Sequence, residues 1–219
     1  MTKQPINAMN LMSFDPELLM KEMNLQFFAT AANKVQFGLE NVHYFVVTDS
    51  GSGITYGEGK AIRGAVNLSI SPNGELFEFY ADNVAYYSAE VNNGYDGELE
   101  IAVLPESFST DILGQVAANG VQYENADQKG KQFALTFEID GDEHKRRYVL
   151  YYCTATRPNI AGSTKTSSRE PQTASLTFQA RPNPYTKDIK ANTTKEVAAN
   201  VFEAWNTSVH ERTTQIDTP

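Results

Sequence analysis

The stretch "IDGDEHKRRYVLYYC", Ile139 to Cys153, sets Asp140, Asp142, Glu143 and His144 close to the only thiol of the chain. These residue types are the ingredients of thiol catalysis. An imidazole takes the cysteine proton, the thiolate attacks, and a carboxylate orients the imidazole. The chemistry requires nucleophile and base within hydrogen-bond reach. Asp140-Gly141 is a reversal signal, because Asp-Gly supplies the positive φ of a tight hairpin. The strand after it begins near Arg147 and is expected to carry Val149, Tyr151 and Cys153 on one face. From Arg147 to Cys153 is roughly 20 Å of extended chain at about 3.3 Å per residue, so His144 does not reach the thiol. The span reads instead as a charged hairpin tip. Asp140, Asp142 and Glu143 stand on one side and Lys145, Arg146 and Arg147 on the other. Opposite charges across such a neck contribute a few tenths to about 1 kcal/mol.

Other motifs fare no better. "GITYGEGKA" (Gly53 to Ala61) approaches a phosphate-binding loop, but its glycine spacing is one residue too long and Ala61 replaces the magnesium-binding hydroxyl. His43, His144 and His210 are scattered and match no zinc spacing. There is no Gly-x-Ser-x-Gly elbow. The sequence nominates no catalytic, cofactor-binding or metal-ligating residue, no cofactor is expected, and the chain is not expected to be an enzyme.

The elements that carry these residues are mostly strands. Val66, Leu68 and Ile70 alternate with polar neighbours, as do Phe133, Leu135, Phe137 and Ile139, and again Leu176, Phe178 and Ala180. Such alternation predicts antiparallel strands with one buried and one wet face. In "KVQFGLENVHYFVV" the phase shifts at Glu40-Asn41, which predicts a bulge there. Pro72-Asn73-Gly74 predicts a turn inside a hairpin over residues 65–80, and Asn93-Gly94 and Asp96-Gly97 punctuate the next segment. Two helices are expected. One spans Pro105 to Gly120, with Phe108, Ile112, Leu113 and Val116 at helical spacing and Gly120 as its stop. The other covers about 194–206, opened by a Thr193/Glu196 capping box and carrying Val197, Val201 and Trp205 on one stripe. Trp205 is expected to dock on the domain.

Two segments lack a packing pattern: residues 1–30, an N-terminal extension or arm, and the polar loop 157–172, which holds Lys165 and Arg169. Residues 31–219 form the main domain. The residues before Met23 are either an over-called start or a true arm. A single cysteine allows no intrachain disulfide. No export signal opens the chain and no apolar run is long enough to span a bilayer, so a soluble product made in a cytoplasm is expected. The 219-residue chain has 27 acidic against 18 basic residues, a net charge of −9. That balance is the reverse of what a phosphate-gripping protein shows.

Four blocks carry a resemblance: "NKVQFGLENVHYFVVT", "ADNVAYYSAEVNNGYDGELEIAVLPESFSTDILG", "FALTFEIDGDEHKRRYVLYYCTATRP" and "EPQTASLTFQARP". In this order, from about Asn33 to Trp205, they resemble the major tail proteins, or tail tube proteins, of long-tailed bacteriophages with non-contractile tails, especially those of Gram-positive hosts. The resemblance implies a mainly β fold, a tail-tube-type antiparallel β-sandwich or barrel with a flanking α-helix and a C-terminal helix. It implies a structural virion protein of the phage tail, made and assembled in the host cytoplasm, whose six copies close into a ring. Stacked rings form the hollow tube through which DNA is delivered. The implied partners are further copies of the chain, a tape-measure protein, a tail terminator, distal tail proteins, and phage DNA that passes without specific binding. Glu75, Glu78, Glu98 and Glu100 are candidates for the bore, where carboxylates repel phosphate. Asp140, Asp142, Glu143, Lys145, Arg146, Arg147, Lys165 and Arg169 are candidates for contacts between subunits or rings. Alternation alone would equally suit a β-sandwich adhesion or decoration module of a virion or cell surface. Tube formation separates the two.

Overall fold

Alternating apolar residues need a sheet that buries one face, and the chain supplies it mostly from long strands. The computed structural model describes residues 35–212 apart from 82, 142, 161 and 163–171. The chain divides after Ala32 into two units, and the described residues all lie in the second, Asn33–Pro219. The extension 1–30 and most of the loop 157–172 lie outside the described residues.

In chain order the strands are β1 (Gln36–Asp49), β2 (Ile54–Tyr56), β3 (Lys60–Ala61), β4 (Ala65–Ala81) and β5 (Val84–Ile101). A short helix α1 (Glu106–Asp111) precedes β6 (Val116–Ala118), β7 (Val121–Tyr123), β8 (Phe133–Gly141) and β9 (Arg146–Ala155). Then follow β10 (Ala174–Ala180), β11 (Lys190–Asn192) and helix α2 (Ala199–Ala204). Among the described residues, nine strands form one antiparallel sheet in the order β2-β1-β8-β9-β10-β5-β4, with β3 also on β1 and β11 also on β9, while β6 and β7 pair by themselves. The expected mainly β class, with two helices among the described residues, is what the chain adopts.

The sheet curls until β1 touches β4, and the enclosed space is filled by its inward residues. Phe133, Leu135, Leu150, Cys153, Leu176 and Phe178 meet Tyr44, Leu99 and Ile101 there. Helix α1 adds Phe108 and the adjoining Ile112, both fully buried. Edge-to-face contacts run from Tyr44 to Phe108 (5.0 Å), to Phe133 (5.4 Å), to Phe178 (6.3 Å). This geometry suits the ring quadrupoles and adds to area burial. Asp111, the last residue of α1, accepts hydrogen bonds from Lys60 Nζ (2.6 Å) and Tyr44 Oη (3.0 Å), fixing the helix to β3 and β1.

The predicted bulge near Glu40-Asn41 is present: β1 shifts register against β8 between Glu40 and His43, and Asn41 has φ 51°. Several other expectations need correction. No turn forms at Pro72-Asn73-Gly74. β4 runs on through it as an irregularity in a hairpin whose strands pair from Ala65↔Ile101 to Ala81↔Val84. The Asn93-Gly94 and Asp96-Gly97 signals lie inside β5. Gly97 answers a need for closeness rather than for a turn, since a Cβ there would overlap the Phe178 ring. Val66 is not inward, because the shift between Ala65 and Asn67 leaves it unopposed and exposed.

The helix expected over Pro105 to Gly120 ends at Asp111. Asn119 (φ 53°) and Gly120 (φ 76°) instead form the tight reversal between β6 and β7. Positive φ at both central residues is the turn whose twist suits a two-residue hairpin. The C-terminal helix is six residues long, not a span of about 194–206. Its capping box does not form: Ala198 occupies the N-cap, and Thr193 Oγ1 accepts from the Arg147 N–H at 3.0 Å.

β8 has no wet face. Thr136 and Glu138 are as buried as Leu135, because the chain after β10 covers the outer side. There Val149, Tyr151 and Trp205 form a second small core with Tyr56, Ala191, Val201 and Val209. Trp205 is docked as expected, and its Nε1 donates to the Tyr148 carbonyl at 3.2 Å. An extra residue in β9, between the pairs Phe133↔Cys153 and Leu135↔Leu150, turns Cys153 away from Val149 and Tyr151 into the main core.

Candidate functional site

Three surfaces bear on function: the charged tip joining β8 to β9, the polar face of β4, β5 and β10, and the outer half of the β4–β5 hairpin.

At the tip, charges that looked free in the sequence are tied inward. Glu138 is buried on β8, and Arg147, opposite it on β9, donates from Nε at 2.8 Å. Lys145 Nζ reaches Glu138 at 3.3 Å and Glu40 at 2.9 Å, and Asn41 Nδ2 donates to Glu138 at 3.3 Å. Burial pushes the Glu138 carboxyl upward. The hydrogen bonds from Arg147, Asn41 and Lys145, with the charge of Arg147, outweigh it and hold the group below its ordinary value. Bonds to Glu40 and Glu138 raise Lys145. Arg147 also donates from Nη1 to the Phe202 carbonyl, and its guanidinium lies 3.8 Å over the Phe202 ring. It therefore anchors α2 to the sheet. Arg146 donates to His144 Nε2 at 3.3 Å.

Of the residues expected at subunit contacts, Glu143 and Lys145 are exposed, Asp140, Arg146 and Arg147 are partly covered, and Asp142, Lys165 and Arg169 lie outside the described residues. Cys153 is fully buried, and burial pushes its thiol far above the ordinary range. That is the state of a core residue, not of a nucleophile.

The second surface is polar and acidic. Strand alternation puts Asp96, Glu98 and Glu100 on the face of β5 opposite the buried Leu99 and Ile101. Their cross-strand neighbours are Asn67, Ser69 and Ser71 on β4, and Ser175, Thr177 and Gln179 on β10. Ser175 donates to Glu98 and Thr173 to Glu100. Arg181 approaches Asp96 at 3.7 Å. Of the four bore candidates, Glu98 and Glu100 share this face. Glu75 and Glu78 lie farther out on β4 and, three residues apart, point to opposite faces of the hairpin.

The third surface was not foreseen. Beyond residue 74, β4 and β5 pair only with each other. One face of this arm carries the cross-strand pairs Glu75–Val91, Phe77–Ala89 and Phe79–Tyr87. Phe77, Phe79 and Tyr87 are each more than half exposed. The opposite face holds Leu76, Glu78, Ser88 and Glu90. The alternation over 75–79 was available in the sequence. It was hidden by reading Pro72-Asn73-Gly74 as the end of a strand.

Among the described residues, no group of three or more His, Cys, Asp or Glu is placed to hold a metal, and no helix is long and apolar enough to cross a membrane. No protein-family model matches the chain, and no curated protein matches it. Solved structures do. The cap of the anti-feeding prophage, a tube-terminating cap, matches with TM-score 0.43 and 10% identity over 77% of this chain and 99% of that one. The six-fold symmetrised anti-feeding prophage baseplate matches with TM-score 0.43 and 10% identity over 76% and 99%. A sheath/tube terminator of an extracellular contractile injection system matches with TM-score 0.38 and 10% identity over 74% and 100%. At these values the functional reading has to rest on the chain's own residues.

Proposed function

We propose that this chain is a structural subunit of a phage tail, one that self-assembles into stacked hexameric rings forming the hollow tube of a long, non-contractile tail. The observation that carries the reading is the β4–β5 arm. A two-stranded ribbon is marginal in water, and one exposing Phe77, Phe79 and Tyr87 together is a cost to a chain that stays alone. A neighbouring copy removes that cost. The sequence blocks from Asn33 to Trp205 give the assembly its class.

Glu98 and Glu100 supply a wall for the bore. DNA carries a phosphate charge about every 1.7 Å of axis, so a basic wall would hold it in place. Carboxylates interleaved with hydroxyls repel it from all sides and let it slide. With each copy at −9, the ring as a whole has the sign this requires. Tape-measure, terminator and distal tail proteins are the further partners in this reading, and the virion tail is its location.

Negative-stain microscopy of the purified, concentrated protein tests it. Hollow tubes with six-fold end views are expected. Discrete monomers at every concentration would overturn it and return the chain to the adhesion or decoration class.

A further inference from the structure

The chain contains three Asn-Gly pairs: Asn73-Gly74, Asn93-Gly94 and Asn119-Gly120. Each is a site of latent chemistry, because asparagine is thermolabile and glycine has no Cβ to shield its backbone nitrogen. That nitrogen attacks the asparagine carboxamide carbon wherever side chain and backbone are free to meet. Two of the pairs are not free.

Asn73-Gly74 lies inside β4, where Gly74 pairs with Asn92 of β5. The Asn73 Nδ2 donates to Asp96 Oδ2 at 2.7 Å, which holds the carboxamide. Asn93-Gly94 lies inside β5. There the Gly94 N–H, the group that would attack, donates to Asn92 Oδ1 at 3.0 Å, and the Asn93 carbonyl accepts from Arg181 Nη1 at 2.9 Å. Both glycines are also crowded. A Cβ would overlap the Val91 carbonyl at Gly74 and the Ala180 carbonyl at Gly94.

Asn119-Gly120 has none of these restraints. Both residues are exposed at the reversal between β6 and β7, and a Cβ on Gly120 would meet open space. Among the described residues, nothing bonds to the Asn119 carboxamide or to the Gly120 N–H. The two strands that hold the turn are three residues each and, among the described residues, pair only with each other. So short a two-stranded ribbon is marginal in water and opens locally at little cost. We infer that Asn119 is a site of spontaneous modification, converted through a succinimide to aspartate and isoaspartate, while Asn73 and Asn93 are protected by their strands.

The step needs only water. The Gly120 nitrogen forms a bond to Asn119 Cγ, the Cγ–Nδ2 bond breaks, and ammonia leaves with the proton given up by the Gly120 N–H. Water then opens the five-membered imide at either carbonyl. One opening leaves aspartate and the other isoaspartate, whose backbone is longer by one carbon. Either product adds a negative charge at the turn. The reversal depends on positive φ at both central residues, a geometry that the lengthened backbone does not keep. The ribbon then loses its register, while the nine-stranded sheet, which shares no pairing with it, keeps its own. The inference stands or falls independently of the tail-tube reading.

The full chain is incubated in mildly alkaline buffer, folded or unfolded in guanidinium chloride, and then cut after glutamate, which places Asn73, Asn93 and Asn119 in separate peptides. Mass spectrometry follows the gain in mass as each amide becomes an acid. Unfolded, all three are expected to convert at similar rates. Folded, Asn119 is expected to keep most of that rate, and Asn73 and Asn93 to slow by at least about tenfold, as strand protection implies. Isoelectric focusing of the folded chain is expected to develop an acidic band that Asn119→Gly, which retains a turn-forming pair, does not show. An Asn119 that stays intact in the folded chain, an Asn73 or Asn93 that converts as fast, or an acidic band that persists in Asn119→Gly would overturn the inference.

Discussion

The chain has two prominent hairpins, and they treat their side chains in opposite ways. The β8–β9 hairpin looks outward in the sequence, with acids on one side of its turn and bases on the other, yet the structure binds its key charges inward. Glu138 is buried beneath Arg147, Lys145 and Asn41, and Arg147 reaches across to Phe202. The β4–β5 hairpin is rich in aromatic residues and looks like core material, yet its outer half stands in solvent. Charge density marks a closed seam within one chain, and apolar alternation marks the open one. A surface open to other copies is therefore not found by looking for charges. It is found by asking which apolar strand face has no cover.

This contrast can be broken from the closed side first. Trp205 is buried in the second core and donates to Tyr148. Trp205→Ala should cost about 3–5 kcal/mol, a large part of a domain's roughly 5–15 kcal/mol. A thermal melt of the monomer reads this as a drop of many degrees, and an unchanged melt would place Trp205 outside the core. Arg147→Ala comes next. Removing one partner of a buried ion pair costs about 3–5 kcal/mol, and Lys145 should hold the loss near the lower end. Urea unfolding measures it. Were Arg147→Ala as stable as the parent, the tip would be a surface feature after all.

Acid tests the same seam more gently. Glu138 and Asp111 both sit below their ordinary values in the folded chain. Burial opposes this in each case, and the bonds to Arg147 and Asn41, or to Lys60 and Tyr44, prevail. Their contribution is thus fully present above the unfolded carboxylate values of about 3.9–4.3 and is lost as pH falls through the lowered folded values. Melting temperatures should hold above about pH 5 and fall toward pH 3. Glu138→Gln should show a shallower fall, and parallel curves for the two proteins would remove Glu138 from the account. Smallest of all is the expected effect of Phe77→Ser/Phe79→Ser/Tyr87→Ser on the monomer's own stability. Exposed positions usually move it by no more than about 0.5 kcal/mol each, and a large loss would mean that the arm packs within its own chain.

Much of the architecture could be read directly from residue order. The runs ending at Ile139 and Ala180 are strands because apolar residues recur at every second position, whereas Asp140 and Gly141, expected to reverse the chain at once, continue β8 opposite Phe37 and Gln36 of β1, and the chain reverses after them. The shift at Glu40-Asn41 was legible for the same reason. Two of the errors share one cause, which is that glycine and asparagine serve two needs. At Asn119-Gly120 they make a turn, and the sequence reading used Gly120 only to stop a helix. At Gly97 the small residue makes room for Phe178, a residue 81 positions away that local reading has no means to see. The Thr193/Glu196 pattern likewise fits a capping box, but Thr193 is claimed by the Arg147 backbone from another strand. Of the candidate site, the pairing of Glu98 with Glu100 followed from alternation, while the open arm emerged only once β4 was known to run unbroken to Ala81.

Hydrogen exchange tests the contrast between the two hairpins most directly. Backbone amides are followed in dilute solution and at the high concentration where the proposed assembly is expected. Residues 74–92 should exchange fast in the monomer, as a ribbon paired on one side does, and slow strongly on assembly. Residues 133–155 should be slow in both states, their protection already complete within one chain. Unchanged exchange across 74–92, with new protection confined to the β8–β9 tip, would contradict the account and make the charged hairpin the assembly surface.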